Sequence, residues 1–264
     1  MNYDEELAFA KELAYEAGKI TRHYFRADDI GTGWKEDATP VTLADIQVNK
    51  LVIQKVKQAF PADGVLGEEQ SANLKAERIW VCDPVDGTMS FSHGLPISTF
   101  SLALVIGGSP VLGVVYDPFM DRLFWASVGN GAFMNDSGIH VSQNADLQNT
   151  IINIEGIPKG SKTVRQFTDN FVRDLSNLGT NVTSLKSVIL SSVLVAAGQF
   201  TASMFNVPKP EDGAAIKVII EEAGGKVTDL FGNEQRYDRP TMGFLASNGL
   251  VHQQLVELIK SHML

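Results

Sequence analysis

A short apolar segment that ends in two carboxylates constrains this chain more than any other stretch. Residues 79–91 read Ile-Trp-Val-Cys-Asp-Pro-Val-Asp-Gly-Thr-Met-Ser-Phe. The first four residues predict a short buried strand, and Asp83 and Asp86 follow it three positions apart. Because unpaired buried charge is costly, carboxylates at the end of such a strand need a partner. The alternative is a simple turn, since Asp-Pro and Asp-Gly are both favoured turn pairs.

A hard divalent cation is the natural partner for these two carboxylates. Mg²⁺ prefers carboxylate oxygens and usually shares its coordination sphere with a phosphate. Gly87 and Thr88 follow directly and offer backbone N–H groups and a hydroxyl at a predicted turn or helix start, where an anion binds favourably. The segment therefore predicts metal-assisted phosphate chemistry.

Three separate motifs resemble those of one known family. They are Gly67-Glu68-Glu69, Asp83-Pro84-Val85-Asp86-Gly87-Thr88 and Glu211-Asp212-Gly213-Ala214-Ala215. Together they resemble the inositol monophosphatase family, which belongs to the lithium-sensitive, magnesium-dependent phosphatases, and the similarity extends from about Leu7 to the last helix. It implies a layered α/β fold of the α+β kind, a five-layer αβαβα sandwich. It also implies a homodimer and a small-molecule phosphate substrate.

The resemblance assigns a set of metal ligands. In the family the matching positions would hold two Mg²⁺ ions, or three, through Glu68, Asp83, the Val85 carbonyl, Asp86 and Asp212. These acidic ligands offer no cation of their own. The residues alone leave other interpretations open, because Glu68 and its acidic neighbour also fit a solvated surface pair and Asp212 fits a first-turn helix carboxylate.

A second group of residues is expected to act on the water and the phosphate. Thr42 and Asp45 fit the Thr-x-x-Asp pattern, which is similar to a capping box and is a purely structural alternative. The resemblance instead pairs Asp45 with Thr88 to orient and deprotonate the attacking water, and it adds Glu68 to the catalytic residues. Gly87 and Thr88 would bind the phosphate through their N–H groups.

The substrate is less defined than the reaction. The resemblance places Phe205 where inositol-specific members have a glutamate that contacts inositol hydroxyls, and Ile189 and Leu190 where Gly-Thr or Gly-Ser is usual. We therefore take these three as substrate-binding candidates that depart from the inositol pattern. Glu211 replaces the usual tryptophan. Histidinol phosphate, fructose-1,6-bisphosphate and a 3′-phosphonucleotide remain alternative substrates, and a non-catalytic protein that binds metal or phosphometabolite is a third possibility.

Composition excludes several classes of protein. The formal net charge of −9 argues against a nucleic-acid-binding surface, which is normally basic. No stretch approaches the roughly 20 continuous apolar residues of a transmembrane helix, and the acidic N-terminus does not resemble a signal peptide. The single cysteine, Cys82, rules out an internal disulfide. We expect a cytoplasmic protein without membrane or nucleic-acid partners.

Hydrophobic periodicity divides the chain into two halves near residue 150. Residues 1–150 predict helices over 4–26 and from Thr42 onward, packed on a large antiparallel β-meander that carries most of the metal ligands. Residues 151–264 alternate strands and helices and would complete the metal and substrate site. The elements predicted there are strands 151–155, 200–205, 226–228 and 243–246 and helices 163–177, 188–198, 212–223 and 250–259.

Overall fold

The computed structural model describes residues 3–25, 31–34, 40–155 and 162–263. Residue 26, the last of the helix predicted over 4–26, lies outside these ranges. The helices are α1 (Asp4–Tyr24), α2 (Leu43–Ala59), α3 (Thr88–Ser92), α4 (Lys162–Asn177), α5 (Val188–Ala196), α6 (Pro210–Glu222) and α7 (His252–Met263). The strands are β1 (Gly33–Trp34), β2 (Pro40–Val41), β3 (Gly64–Gly67), β4 (Arg78–Asp86), β5 (Thr99–Ile106), β6 (Ser109–Asp117), β7 (Arg122–Ser127), β8 (Ala132–Met134), β9 (Ser137–Gly138), β10 (Ile151–Glu155), β11 (Asn181–Thr183), β12 (Ala202–Phe205), β13 (Lys226–Thr228) and β14 (Phe244–Ser247).

Helices and sheets alternate in five layers, which confirms the predicted αβαβα sandwich. Helices α1 and α2 cover one face of a seven-stranded sheet. Helices α5 and α6 lie between that sheet and a five-stranded sheet, and α4 and α7 cover the far side of the second sheet. The largest apolar cluster lies in the middle, where both sheets contribute to one core with α5 and α6.

The two sheets differ in connectivity, as the sequence predicted. The seven-stranded sheet runs in the order β3-β4-β5-β6-β7-β8-β9, parallel only between β3 and β4 and antiparallel elsewhere. The second sheet is mixed, with β10 parallel to β11 and β12. All strands of the first sheet precede residue 150 and all strands of the second follow it. The division into two domains at that point stays a prediction.

Strand β4 is longer than the apolar run suggested. It extends from Arg78 through Asp86, so the two aspartates belong to the strand and are not a turn that follows it. The register with β5 is irregular between Asp83 and Asp86, which face Ser101 and Thr99. The chain therefore advances three residues along β4, from 83 to 86, while it advances two along β5, from 99 to 101. This unequal spacing is the pattern of a β-bulge. The intervening proline fits there, because a bulge needs no N–H from it.

Helix α6 approaches both sheets closely. A Cβ added to Gly113 of β6 would lie 2.5 Å from the backbone oxygen of Ala215 and 2.8 Å from its Cα. On the other side, a Cβ on Gly213 of α6 would overlap the Phe244 ring of the second sheet. Two glycines therefore allow the helix to fit between the sheets. Within the described residues, every helix is too short or too polar to cross a membrane.

We expect Gly113→Ala to lower the free energy of unfolding by about 1–3 kcal/mol, because the new methyl group would collide with backbone atoms that cannot rotate away. Urea denaturation of the wild type and the variant measures the change. Gly138→Ala is the matched control, since nothing lies within 4 Å of its added Cβ. Equal losses in both variants would contradict a role for close packing at Gly113.

Candidate active site

Acidic side chains from three elements meet at one end of the middle layer. Glu68 follows β3, Asp83 lies on β4, and Asp212 lies in the first turn of α6. The Glu68 N–H donates to the Cys82 carbonyl at 3.2 Å, which fixes the exit of β3 beside the position of Asp83. Asp83 is 2% exposed and Asp212 is 8% exposed. The fold therefore brings together acids that are far apart in sequence.

Burial and mutual repulsion dominate the electrostatics of this cluster. Burial raises the pKa of Asp83 well above its ordinary value, and the negative charges of Glu68, Asp86 and Asp212 raise it further. The pKa of Asp212 is raised for the same reasons, with burial first and the charge of Glu68 next. Such acids hold their charge at neutral pH only beside a compensating cation.

Asp86 interacts mainly with the start of α5. Its carboxylate accepts hydrogen bonds from backbone N–H groups in the first turn of that helix and from two hydroxyl groups. The donors are the Ser187 hydroxyl, the Thr99 hydroxyl at 3.3 Å, and the N–H groups of Val188 at 3.1 Å, Ile189 at 3.1 Å and Leu190 at 3.4 Å. These bonds lower the pKa of Asp86, but burial outweighs them and raises it to about 7.

Asp45 combines the two roles that the sequence left as alternatives. Its Oδ2 accepts a hydrogen bond from the Thr42 N–H at 2.8 Å, as in a capping box, and a second one from the Thr42 hydroxyl at 2.5 Å. Its Oδ1 accepts the Thr88 hydroxyl at 3.2 Å, and that hydroxyl also lies 2.9 Å from the Val85 carbonyl. Burial raises the pKa of Asp45 to about 6. One carboxylate therefore starts α2 and contacts Thr88.

Gly87 and Thr88 lie where β4 turns into α3. Gly87 has a φ of 80°, in the left-handed region where a side chain is strained, and it precedes the first residue of α3. An added Cβ would also lie 2.6 Å from the Ile97 carbonyl oxygen. The predicted helix start is confirmed. Its use as a phosphate site stays a prediction.

The side chains of the three substrate-binding candidates are buried. Phe205 and Ile189 are 0% exposed, and Leu190 is 6% exposed. Phe205 packs against Phe244 with ring centroids 4.9 Å apart, in the apolar cluster between the sheets. Their role in substrate binding stays a prediction. Ile189 and Leu190 reach the site through their N–H groups, because the first turn of α5 points at Asp86.

Comparison with known proteins identifies the family. The sequence model of the inositol monophosphatase family matches residues 2–264. This chain belongs to that family. It is 31% identical to the fructose-1,6-bisphosphatase/inositol-1-monophosphatase of Thermotoga maritima, over 97% of this chain and 96% of that protein. It is 33% identical to the histidinol-phosphatase of Chlorobaculum parvum, over 96% of each chain.

The solved structures agree with the sequence comparison. The inositol monophosphatase of Thermotoga maritima superposes with a TM-score of 0.87 at 31% identity, covering 98% of each chain. Members of the inositol monophosphatase family are phosphatases, that is, metal-dependent phosphoric monoester hydrolases. The predicted family, fold class and enzyme class are therefore confirmed.

Sequence reasoning missed three polar residues beside these acids. Lys209 Nζ lies 2.8 Å from Glu68 Oε1, so a cationic side chain outside the predicted ligand set contacts one of its members. Ser187 binds Asp86, and Glu155, at the end of β10, is 6% exposed with its Oε1 unpaired among the described residues. The sequence gives no signal for Lys209, because 141 residues separate it from Glu68.

The donor set of the site fits a hard cation. Asp83 and Asp212 are buried carboxylates whose pKa values are raised by burial and then by the charge of Glu68, and a divalent ion would relieve that repulsion. Among the described residues, no group of three acidic, histidine or cysteine side chains is already arranged so that it could hold a metal ion. Asp86 is directed at α5 and Glu68 at Lys209, so two of the predicted ligands interact with other groups.

We expect the stability of the metal-free protein to depend on pH through Asp86. Its pKa is raised from 3.8 to about 7, so its stabilising contribution is present at pH 4 and is lost as the pH rises through 7. His252 has the opposite effect on stability. Burial lowers its pKa from 6.5 to about 4, so its stabilising contribution is present above pH 6.5 and is lost as the pH falls from 6.5 to 4.

Comparison of the wild type with Asp86→Asn isolates the pH-dependent contribution of Asp86 to stability, since both proteins keep His252. In chelator, the wild type should lose up to about 4 kcal/mol of unfolding free energy relative to the variant between pH 4 and pH 8. Urea denaturation at each pH measures this difference. A difference that stays constant over the range would contradict the raised pKa.

We expect Ser187→Ala to lower the free energy of unfolding by about 1.5–3 kcal/mol, because a buried carboxylate loses a hydroxyl donor. Ser192→Ala on the same helix is the control. Its hydroxyl donates at 2.7 Å to the neutral Val188 carbonyl, so its loss should cost about 0.5–1.5 kcal/mol. Denaturant unfolding compares the two. A ranking in the opposite order would show that the contact with Asp86 contributes little.

Proposed function

We propose that this protein hydrolyses a small-molecule phosphomonoester with the help of Mg²⁺. The main support is the meeting of buried Asp83 and Asp212 with Glu68, beside the Gly87–Thr88 turn and the contact of Asp45 with Thr88. A metal and a phosphate are the two ligands that such neighbouring groups suit best.

Glu68, Asp83, Asp86, Asp212 and the Val85 carbonyl are the residues we propose as ligands for two Mg²⁺ ions, or three. Bound ions of this kind supply an activated water nucleophile and stabilise negative charge on the attacking and leaving oxygens. Asp86 can contribute Oδ1, which accepts one hydrogen bond, from Val188, whereas Oδ2 accepts the others. Glu68 can contribute a carboxylate oxygen once the ammonium group of Lys209 has left Glu68 Oε1.

Thr88 and Asp45 are proposed to move the proton of the attacking water. As the water oxygen bonds to phosphorus, its proton passes to the Thr88 hydroxyl oxygen, and the hydroxyl proton passes to Asp45 Oδ1, 3.2 Å away. A pKa of about 6 suits Asp45 to accept that proton near neutral pH. The phosphorus–oxygen bond to the alcohol breaks in line, and the leaving oxygen takes a proton from solvent.

The phosphate is proposed to bind at the N–H groups of Gly87 and Thr88. Fixed N–H dipoles stabilise the negative charge that develops on phosphate oxygens, and they require no reorganisation during the reaction. Gly87 supports this assignment, because its positive φ forms the turn that begins α3 and places both N–H groups at the N-terminus of that helix.

Inositol-1-phosphate is the first candidate substrate, and the names of several relatives favour it. Histidinol phosphate is the second candidate, since two relatives 33% and 32% identical are histidinol-phosphatases. Fructose-1,6-bisphosphate and a 3′-phosphonucleotide follow. The buried Phe205 at the position of an inositol-contacting glutamate weighs against strict inositol specificity, because a polyol site discriminates through hydrogen bonds to hydroxyls.

The resemblance to the family further supports a homodimer and inhibition by lithium, and the single cysteine fits a cytoplasmic location. The net charge of −9 supports a small-molecule substrate over nucleic acid. Lithium inhibition rests on the same acidic cluster as the activity. It can therefore be tested in the same assay.

The test is Mg²⁺-dependent phosphate release from inositol-1-phosphate, histidinol phosphate, fructose-1,6-bisphosphate, a 3′-phosphonucleotide and glycerol phosphate. We expect activity on at least one of them, and a loss of about 10³-fold or more in kcat/KM for Asp83→Asn. Asp146→Asn, on the exposed loop before β10, is the control and should keep wild-type activity. The preferred substrate then identifies the specificity.

Two results would contradict the proposal. Activity that persists in Asp83→Asn would exclude a metal site built on this residue. Inactivity of the folded wild type on every substrate, with Mg²⁺ bound, would favour the non-catalytic alternative.

A further inference from the structure

An ion pair joins the two halves of the chain within the acidic cluster. Lys209 Nζ lies 2.8 Å from Glu68 Oε1, and the two side chains are 30% and 13% exposed. Glu68 follows β3 of the seven-stranded sheet, whereas Lys209 directly precedes α6, the helix that carries Asp212. The pair therefore connects two of the elements that supply the proposed metal ligands.

Several negative charges face this ammonium group. Glu68, Asp212 and Glu211 all act on Lys209, in that order of strength, and they raise its pKa. Of the lysines and arginines that the structure describes, Lys209 is the one that forms an ion pair with the site acids. In the metal-free protein it compensates part of the repulsion among buried carboxylates. That is the task that a metal ion would also perform.

We propose that Lys209 is a built-in competitor of the metal at Glu68: the ammonium stabilises the metal-free site and must leave Glu68 Oε1 before this carboxylate can bind an ion fully. The inference rests on the proposed metal-dependent function. An ammonium group at hydrogen-bond distance occupies one of the carboxylate's lone pairs, and its charge repels a second cation. Lys209 thus has opposite effects on the stability of the metal-free protein and on its affinity for metal.

The test uses the full-length protein stripped of metal with a chelator. Isothermal titration calorimetry measures Mg²⁺ affinity, and thermal unfolding in chelator measures the stability of the metal-free form. We expect Lys209→Met to bind Mg²⁺ about tenfold more tightly than the wild type, a coupling of ordinary size, and to unfold at a lower temperature in chelator. Lys209→Arg keeps the charge and should retain weak binding.

Lys217→Met is the matched control. Lys217 is 12% exposed and forms ion pairs with Glu221 and Glu234, in a different part of the molecule. Its loss should lower stability without changing Mg²⁺ affinity, which separates a local exchange at Glu68 from a general effect of net charge. If Lys209→Met does not fold, Lys209→Gln removes the same charge and serves in its place.

The outcomes distinguish a failure of the Lys209 inference from a failure of the proposed metal-dependent function. Unchanged or weaker Mg²⁺ binding in Lys209→Met, with normal binding by the wild type, would overturn the inference. Weaker binding would in addition indicate that Lys209 orients Glu68 for the metal. Equal tightening in Lys217→Met would also overturn it. A wild type that binds no Mg²⁺ at millimolar concentration would overturn the proposed metal-dependent function and this inference with it, a pattern that differs from the other two.

Discussion

Repulsion among buried carboxylates is the constraint around which this site is organised. Three of the acids are each compensated by a different part of the fold. Asp86 receives the N–H groups at the start of α5, Asp45 receives both donors of Thr42, and Glu68 receives the ammonium of Lys209. Burial and the neighbouring acids raise the pKa values of Asp83 and Asp212 well above the usual range, so the charged forms of these two acids are the least compensated. The place where the protein compensates least is therefore the place that best suits a cation.

The middle layer of the sandwich makes these compensations possible. Helix α5 directs its first turn at a carboxylate of the first sheet, and α6 contributes Asp212 from its own first turn. Both helices also pack against the second sheet, so the site lies between layers and belongs to neither sheet alone. The acids meet because α6, which carries Asp212, packs against β4, which carries Asp83 and Asp86. Glu68 joins them because it follows β3, which pairs with β4.

Much of the fold follows from local signals in the sequence. The helix after Thr42 was predicted from a capping pattern and a periodic apolar face, and both are present. The end of β4 was placed too early, because an apolar run shows burial but does not reveal a bulge that keeps Asp83 and Asp86 within the strand. A bulge depends on pairing with β5, which no local pattern encodes.

The long-range contacts of the site could not be predicted from the residues alone. Ser187 is 101 residues from Asp86, and a serine before a helix indicates only a possible cap. Phe205 is a further example, since its match to a polar family position gives no sign that its strand directs the ring into the core. Family resemblance identifies the acids, and only the packing shows which groups surround them.

The tight fit of α6 has a consequence for selectivity. Because Gly113 and Gly213 let the helix backbone contact a strand on one side and an aromatic ring on the other, the helix has little freedom to slide or tilt. The position of the main chain that carries Asp212 is thus fixed by packing on both sides of the helix. A metal ion held by Asp83 and Asp212, as we propose, would meet a backbone that adjusts little to the ionic radius. Core residues distant from the acids would then influence which ion the proposed site accepts.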